Sequence, residues 1–305
     1  MESPDEPPAP PPAQFPRTTR ELREALSARG IAPARRHGQC FLTDVQAVDA
    51  IVRDADVHEG DVVLEVGTGT GLLTHALCEA GATVDTFDID ARVQAVAKGL
   101  RHWPDRVRFH TSDVLDGKHA LSGPFLDALA AARAAAPPGR VRFVSNLPYN
   151  AATSILLGLL ALDDPPDDLT VMIQLEVAEK LLAAPGSHAY GVPSILRTLR
   201  ADGKIVRRFP PDVFWPRPSV RSALLQLTPR RPAELASGEE RAFGPFLLAL
   251  FSRRRKVLST ALRTARPALS AEHAAAACAR VGLDARIRPE DADARSLRDL
   301  ARATA

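Results

Sequence analysis

The sequence predicts an α/β domain built around a mainly parallel sheet, followed by a small all-helical domain. Three observations carry that expectation. From residue 60 onward, short apolar runs alternate with stretches of helical periodicity. The segment 229–238 holds the turn-prone Pro229, Pro232 and Gly238 and reads as a linker. Beyond it, apolar residues recur only at helical spacing.

The elements follow in order. Val62–Val66 is a buried-strand pattern that ends at a glycine cluster, and 72–79 is a helix. Residues 83–88 form a second strand ending in an acid, with a helix over 91–100. A third strand, 107–110, runs into Thr111-Ser112-Asp113, and an Ala-rich helix at 125–136 is closed by Pro137-Pro138-Gly139. A fourth strand, 141–145, leads into Asn146-Leu147-Pro148-Tyr149. A helix near 151–162 and a fifth strand at 169–173 continue the alternation. A helix near 176–183, a segment near 191–201, and strands near 204–209 and 222–228 complete the domain, which spans 17–230. The helical domain, 236–305, is marked by Phe243, Phe246, Leu247, Leu250 and Phe251, then Val257, Leu258 and Leu262, then 273–281 and 297–300. Residues 1–16 hold seven of the 26 prolines and too little apolar content to fold, so they read as a disordered tail.

Composition bounds the function. The 305 residues are 45% hydrophobic and 25% charged, which excludes a wholly disordered chain and a coiled coil. No run of about 18 apolar residues is present to span a bilayer, and the N-terminus lacks the apolar core of a signal peptide. Cys40, Cys78 and Cys278 show no paired spacing, so neither a disulfide framework nor a metal site is expected. A cytoplasmic protein follows. The net charge of +2 hides a polarity: residues 229–305 carry 15 basic and 9 acidic groups, while 1–228 carry 24 and 28. Such asymmetry points to a nucleic-acid face on the C-terminal domain.

Val63-Leu64-Glu65-Val66-Gly67-Thr68-Gly69-Thr70-Gly71 joins a strand, an acid, a glycine turn and a helix. Glycines there let the backbone approach a ligand closely. The spacing is G-x-G-x-G, and Leu72 stands where a dinucleotide fingerprint needs its third glycine. Asp88, at the end of the second strand, suits the two hydroxyls of a ribose, although an NAD ribose would be served as well. Asp113, at the end of the third, suits an adenine amino group. Alone, each acid would be an ordinary cap or loop carboxylate.

Asn146-Leu147-Pro148-Tyr149-Asn150 follows the fourth strand, at the edge where open α/β sheets bind ligands. An Asn oxygen and a carbonyl ahead of proline accept N–H bonds from a flat amine, and a Tyr ring stacks on a base. An adenine N6 lone pair is delocalised and poorly nucleophilic. Acceptors on its two hydrogens favour a pyramidal nitrogen, so positioning and electrostatics supply the catalysis. The alternative is a simple turn, since Asn, Pro and Tyr suit one.

The glycine loop resembles motif I of class I methyltransferases, and the ordered set of motifs resembles one family: the ribosomal RNA adenine N6,N6-dimethyltransferases, in their small-subunit branch. The likeness spans 18–305. It rests on Arg36-His37-Gly38-Gln39-Cys40-Phe41-Leu42 against F-G-Q-N-F-L, the G-x-G-x-G-x-L-T loop, Phe87-Asp88-Ile89-Asp90, and the N-L-P-Y-N loop. It continues through Gln174 to Leu182 with Tyr190-Gly191, through Phe214-Trp215-Pro216-Arg217-Pro218-Ser219-Val220, and through Phe251-Ser252-Arg253-Arg254-Arg255-Lys256-Val257-Leu258 against F-x-x-R-R-K-x-L.

The resemblance implies a Rossmann-like fold, with a mainly parallel seven-stranded sheet and a small C-terminal all-helical domain. It implies S-adenosylmethionine (SAM) as cofactor and dimethylation of two adjacent adenines in the 3′-terminal hairpin of small-subunit rRNA. The partner would be the rRNA of the pre-30S particle, engaged by a monomer. By the same likeness Gln39, Cys40, Leu42, Gly67, Gly69, Asp88, Asp113 and Asn146 would line the cofactor site. Asn146, Leu147, Pro148 and Tyr149 would form the catalytic loop, and Arg253, Arg254, Arg255 and Lys256 would contact RNA phosphates. Cys40 stands where the family has Asn, and Asp88 where it has Glu. Two alternatives share these motifs: a large-subunit rRNA adenine N6-methyltransferase of the macrolide-resistance type, and an RNA-binding assembly factor without catalysis.

Overall fold

The computed structural model describes residues 16, 18–28, 30–31, 40–117, 120–136, 139–236 and 238–305. The proline-rich tail, apart from Pro16, lies outside these residues, as do His37 and Gln39. The first element is α1 (Thr19–Ser27), started by a capping box between Thr18 and Glu21 and held down by buried Leu22 and Leu26. A two-residue strand β1 (Phe41–Leu42) and α2 (Val45–Asp54), capped by Asp44, follow. The sequence reading assigned no element before residue 60. The helices there are short, and their N-caps are the signal that marks them.

The alternating core is as expected: β2 (Val62–Val66), α3 (Leu72–Glu79), β3 (Thr83–Asp88), α4 (Ala91–Gly99) and β4 (Val107–Thr111). A small hairpin, β5 (Leu115–Asp116) and β6 (Ala120–Leu121), precedes α5 (Gly123–Ala135). Then come β7 (Val141–Asn146), α6 (Ala152–Leu160), β8 (Asp168–Gln174), α7 (Leu175–Leu181), α8 (Val192–Arg200) and β9 (Ala201–Phe209). A short β10 (Phe214–Trp215) pairs antiparallel with β1, and β11 (Ser222–Pro229) closes the domain. Four helices finish the chain: α9 (Glu240–Phe251), α10 (Leu258–Ala265), α11 (Ala271–Arg280) and α12 (Ala294–Ala303).

The seven-stranded sheet has the order β4-β3-β2-β7-β8-β11-β9. The first five run parallel, and β11 is antiparallel to both neighbours. The chain winds outward from β2 to β4, then returns to β7 on the other side of β2. That reversal opens a crevice at the carboxyl ends of β2 and β7. Successive strand residues face opposite sides, so Val63 enters the core beneath α2 and α3 while Leu64 enters the core beneath α5 and α6.

At the opposite edge, buried Arg142 bridges Asp61 (2.6 Å) and Asp168 (2.8 Å), pinning β7 between its neighbours. Paired charges are what make such burial tolerable. The third core joins Tyr190, Ile195 and Leu199 to Leu235 and the four C-terminal helices. The segment read as a linker is therefore strapped down. Arg230 pairs with Asp202 (2.6 Å), Glu234 with Arg295 (2.5 Å), and Glu240 with Arg200 (2.6 Å).

Candidate active site

A cleft of about 490 Å³ opens at the carboxyl edge of the sheet. Cys40, Leu42, Gly67, Gly69, Asp88, Asp113, Asn146, Leu147, Pro148 and Tyr149 all line it, so residues scattered over more than 100 positions converge. Gln39 lies outside the described residues.

The loop after β2 owes its shape to its glycines. Gly67, Gly69 and Gly71 all have positive φ (88°, 53° and 83°), a region that side chains disfavour. A Cβ on Gly67 would meet the Asn146 carbonyl at 3.2 Å, and one on Gly69 would meet the Phe41 ring at 3.3 Å. The loop thus lies against both the turn that begins at Asn146 and β1. Below it Glu65 is buried, bonded by the Thr74 hydroxyl at 2.5 Å and by Thr86. Burial pushes its carboxyl up to about 8, with the nearby Asp88 charge adding to the rise.

Asp88 is held from two sides. Its Oδ2 accepts the Gly69 N–H (3.0 Å) and its Oδ1 the Asp90 N–H (2.9 Å). Each oxygen keeps a lone pair for a ligand hydroxyl. Burial raises its pKa above the usual carboxylate range. Asp113 is exposed, and its Oδ1 accepts the Leu115 N–H at 2.9 Å. Beside it the buried Ser112 Oγ has no hydrogen-bond partner among the described residues. Ile89, between the two acids of its motif, is 58% exposed and lines the cleft.

In the Asn146–Asn150 turn, the Asn146 Nδ2 donates to the Cys40 carbonyl at 3.4 Å, which leaves the amide oxygen as an acceptor. Cys40 so contributes through its backbone, where a side-chain change matters least. Leu147 has a buried side chain, and its N–H donates to the Met172 carbonyl at 3.1 Å. The Leu147 carbonyl receives no hydrogen bond among the described residues, so it too remains an acceptor. The Pro148 carbonyl already serves the Ala151 and Ala152 N–H groups at 3.1 Å, so Pro148 shapes the turn. The Tyr149 hydroxyl shares a 3.0 Å hydrogen bond with Ser222 at the start of β11, which anchors the tip of the ring to the sheet.

Sequence reasoning missed Ser222 and Ile89 as site residues. Ser222 lies two positions beyond a quoted motif, and only β11 pairing Ser222 with Gln174 brings it to the turn. Ile89 was flagged by no apolar neighbour; its signal is the middle place of an acid-x-acid strand end.

Arg253, Arg254, Arg255 and Lys256 occupy the turn between α9 and α10. Arg253, Arg255 and Lys256 are exposed and form no ion pair among the described residues. Arg254 is different: it pairs with Glu290 at 2.6 Å and donates to the His188 carbonyl at 3.2 Å, so it ties this turn to the loop before α8.

The cleft fits an adenosyl sulfonium. Its volume lies in the range of small-molecule sites. It offers carboxylate lone pairs, an exposed apolar side chain and an unpartnered hydroxyl within one concavity. A dinucleotide is disfavoured by the same loop, because Leu72 occupies the third-glycine place.

Comparison with known proteins agrees. The family described as ribosomal RNA adenine dimethylase matches residues 33–294. A ribosomal RNA small subunit methyltransferase A from Phenylobacterium zucineum is 39% identical over 243 residues, covering 79% of this chain and 80% of its own. The Streptomyces coelicolor protein of the same name is 37% identical over 248 residues, covering 79% and 81%. A dimethyladenosine transferase from Plasmodium falciparum superposes with a TM-score of 0.64 at 21% identity, over 84% of this chain and 94% of that one. The 23S rRNA methyltransferase ErmE does so with a TM-score of 0.57 at 20% identity, over 87% and 99%. At that identity these two structures speak for the fold, that of SAM-dependent methyltransferases. The sequence matches speak for more: the chain belongs to the ribosomal RNA adenine dimethylase family, and S-adenosylmethionine is its cofactor.

Proposed function

We propose that this protein dimethylates N6 of two adjacent adenines in the 3′-terminal hairpin of small-subunit rRNA, acting as a monomer on the pre-30S particle in the cytoplasm. The observation that carries the reading is the convergence of Asn146, the Leu147 carbonyl and Tyr149 with Asp88 and Asp113 on one cleft. Bound SAM supplies an electrophilic methyl group on a sulfonium. The residues do the rest by position. The Asp88 oxygens would take the ribose hydroxyls, and Asp113 with Ser112 would face the adenine edge. The Asn146 Oδ1 and the Leu147 carbonyl would accept the two hydrogens of the target amine, turning its lone pair out of conjugation. Tyr149, anchored through Ser222, would stack on the target base. No strong general base is required, because the amine proton becomes acidic as the N–C bond forms.

The test is primer extension across the 3′ end of small-subunit rRNA from a strain lacking the gene, with and without complementation. Adenines that are unmodified in the deletion and modified on complementation are expected. Modification of large-subunit rRNA instead would overturn the substrate.

The basic turn supports phosphate contact, since three unpaired cations there meet a net-positive domain. Replacing Arg253, Arg255 and Lys256 together by alanine is expected to weaken particle binding. The slope of log affinity against log salt should fall by about 2–3. Arg254 is left out because its loss breaks the Glu290 pair. An unchanged slope would remove this turn from the RNA contact.

A further inference from the structure

Helix α4 packs Val93, Val96 and Ala97 inward, yet it also buries one amide, Gln94, completely. A buried amide is tolerated only where its hydrogen bonds are made. Those of Gln94 are made to the glycine loop of the cleft and to the end of β4, which leads into it. Its Nε2 donates to the His110 carbonyl at 3.0 Å and reaches the Thr68 Oγ1 at 3.5 Å. Its Oε1 accepts the Thr111 hydroxyl at 2.5 Å. Thr68 sits inside the glycine loop and shares a 2.7 Å hydrogen bond with Thr86 on β3. His110 and Thr111 are the last residues of β4, and the chain continues directly into Ser112 and Asp113.

Backbone bonds tie both parts to β3 and not, among the described residues, to each other: the Gly67 and Thr68 N–H groups donate to the Phe87 carbonyl at 2.7 and 3.2 Å. The β3–β4 ladder ends at the Asp88–Thr111 pair, with one further bond from the Ser112 N–H to the Asp88 carbonyl at 3.1 Å. Beyond that point Asp113 is exposed, its carboxylate held by its local turn and its carbonyl by the Ser122 hydroxyl at 2.8 Å. Gln94 is a side chain that links the loop and the strand end to each other directly.

We propose that Gln94 is a positioning residue for adenine recognition, its buried amide tying the glycine loop at Thr68 to the end of β4 at His110 and Thr111. It holds the Ser112–Asp113 turn at a fixed place relative to Gly69 and Asp88. This rests on the reading of Asp113 as the partner of the cofactor's adenine amino group. Gln94 touches no ligand itself and acts through the turn that does.

The test uses the full chain and calorimetry with two probes, S-adenosylhomocysteine and S-inosylhomocysteine. They differ at one edge of the ring, where a carbonyl oxygen replaces the amino group and N1 gains a proton. Gln94→Met fills the volume without either hydrogen bond. It is expected to lower affinity for the adenosyl probe about tenfold and its preference over the inosyl probe by a similar factor. KM for SAM should rise while kcat at saturating cofactor stays within about twofold. Thr111→Val breaks the same bond from an exposed position, without disturbing the core. It should shift the preference the same way, about threefold, and add nothing on top of Gln94→Met.

An unchanged preference in both variants, or equal loss for both probes, overturns the proposal. If Gln94→Met does not fold, the Thr111→Val ratio decides alone. Asp113→Ala separates the two readings. If it erases the preference while the Gln94 and Thr111 variants keep it, the proposal falls and the site reading stands. If it leaves the preference intact, the Asp113 reading falls.

Discussion

Asn146→Ala is expected to lower kcat for rRNA methylation by about 10²–10³-fold, the size of effect seen when one preorganised polar partner of a transition state is removed. The structure gives the reason. The Asn146 amide is oriented by donating to the Cys40 carbonyl, which leaves its oxygen facing the cleft. Alanine removes that acceptor and leaves the Leu147 carbonyl as the single partner for an amine with two hydrogens. The turn itself should persist, since the Leu147 N–H to Met172 and the Pro148 carbonyl to Ala151 are backbone bonds. Single-turnover methylation of small-subunit particles measures the rate, and S-adenosylhomocysteine calorimetry measures what remains of the cofactor site. A fall in rate far beyond any fall in affinity is expected. Full activity of the variant would refute the assigned mechanism.

Glu65→Gln should change the pH dependence of stability more than any other single substitution in the cleft. Burial raises the Glu65 carboxyl from an ordinary value near 4.5 to about 8. The native state then keeps a proton that the unfolded chain releases. This contribution is complete below about pH 4.5 and is lost progressively as the pH climbs to about 8. Glutamine is neutral throughout and keeps an oxygen for the Thr74 hydroxyl. Between pH 5 and 8.5 the wild type should therefore lose stability relative to the variant, by an amount on the order of 4 kcal/mol. Asp88 is raised by burial with the same sign and its charge acts on Glu65, so the difference between variant and wild type reports Glu65 together with that coupling. Urea unfolding at the two pH values measures it, and parallel behaviour of the two proteins would show that Glu65 is ionised when buried.

The parallel strands were readable because each is a short apolar run closed by a glycine, an acid or a turn. The bounds of β2, α3 and β3 coincide with the sequence reading. The segment near 191–201 was left without a type. Its helix α8 mixes Arg197 and Arg200 into the buried face, a pattern that periodicity reads poorly. Both arginines are buried because backbone carbonyls and Glu240 accept from them. The split at 229–238 followed turn residues, yet the C-terminal core also takes Tyr190, Ile195 and Leu199. Which helices share a core is settled by packing, which local composition does not record.

The sequence by itself determined the alternating sheet, the glycine loop, the acids at strand ends and the turn at Asn146–Asn150, because each is a local pattern with a local physical cause. It also determined that charge is divided between the two ends of the chain. The tertiary structure decided what those residues do together. Asn146 bonds to a carbonyl 106 positions away, Tyr149 to a serine 73 positions on, and Thr68 of the glycine loop meets a glutamine on α4. It also separated Arg254 from the three cations beside it, which form no ion pair among the described residues. These are long-range hydrogen bonds and ion pairs, and no local pattern contains them, since their partners meet only when the sheet brings its carboxyl edge together.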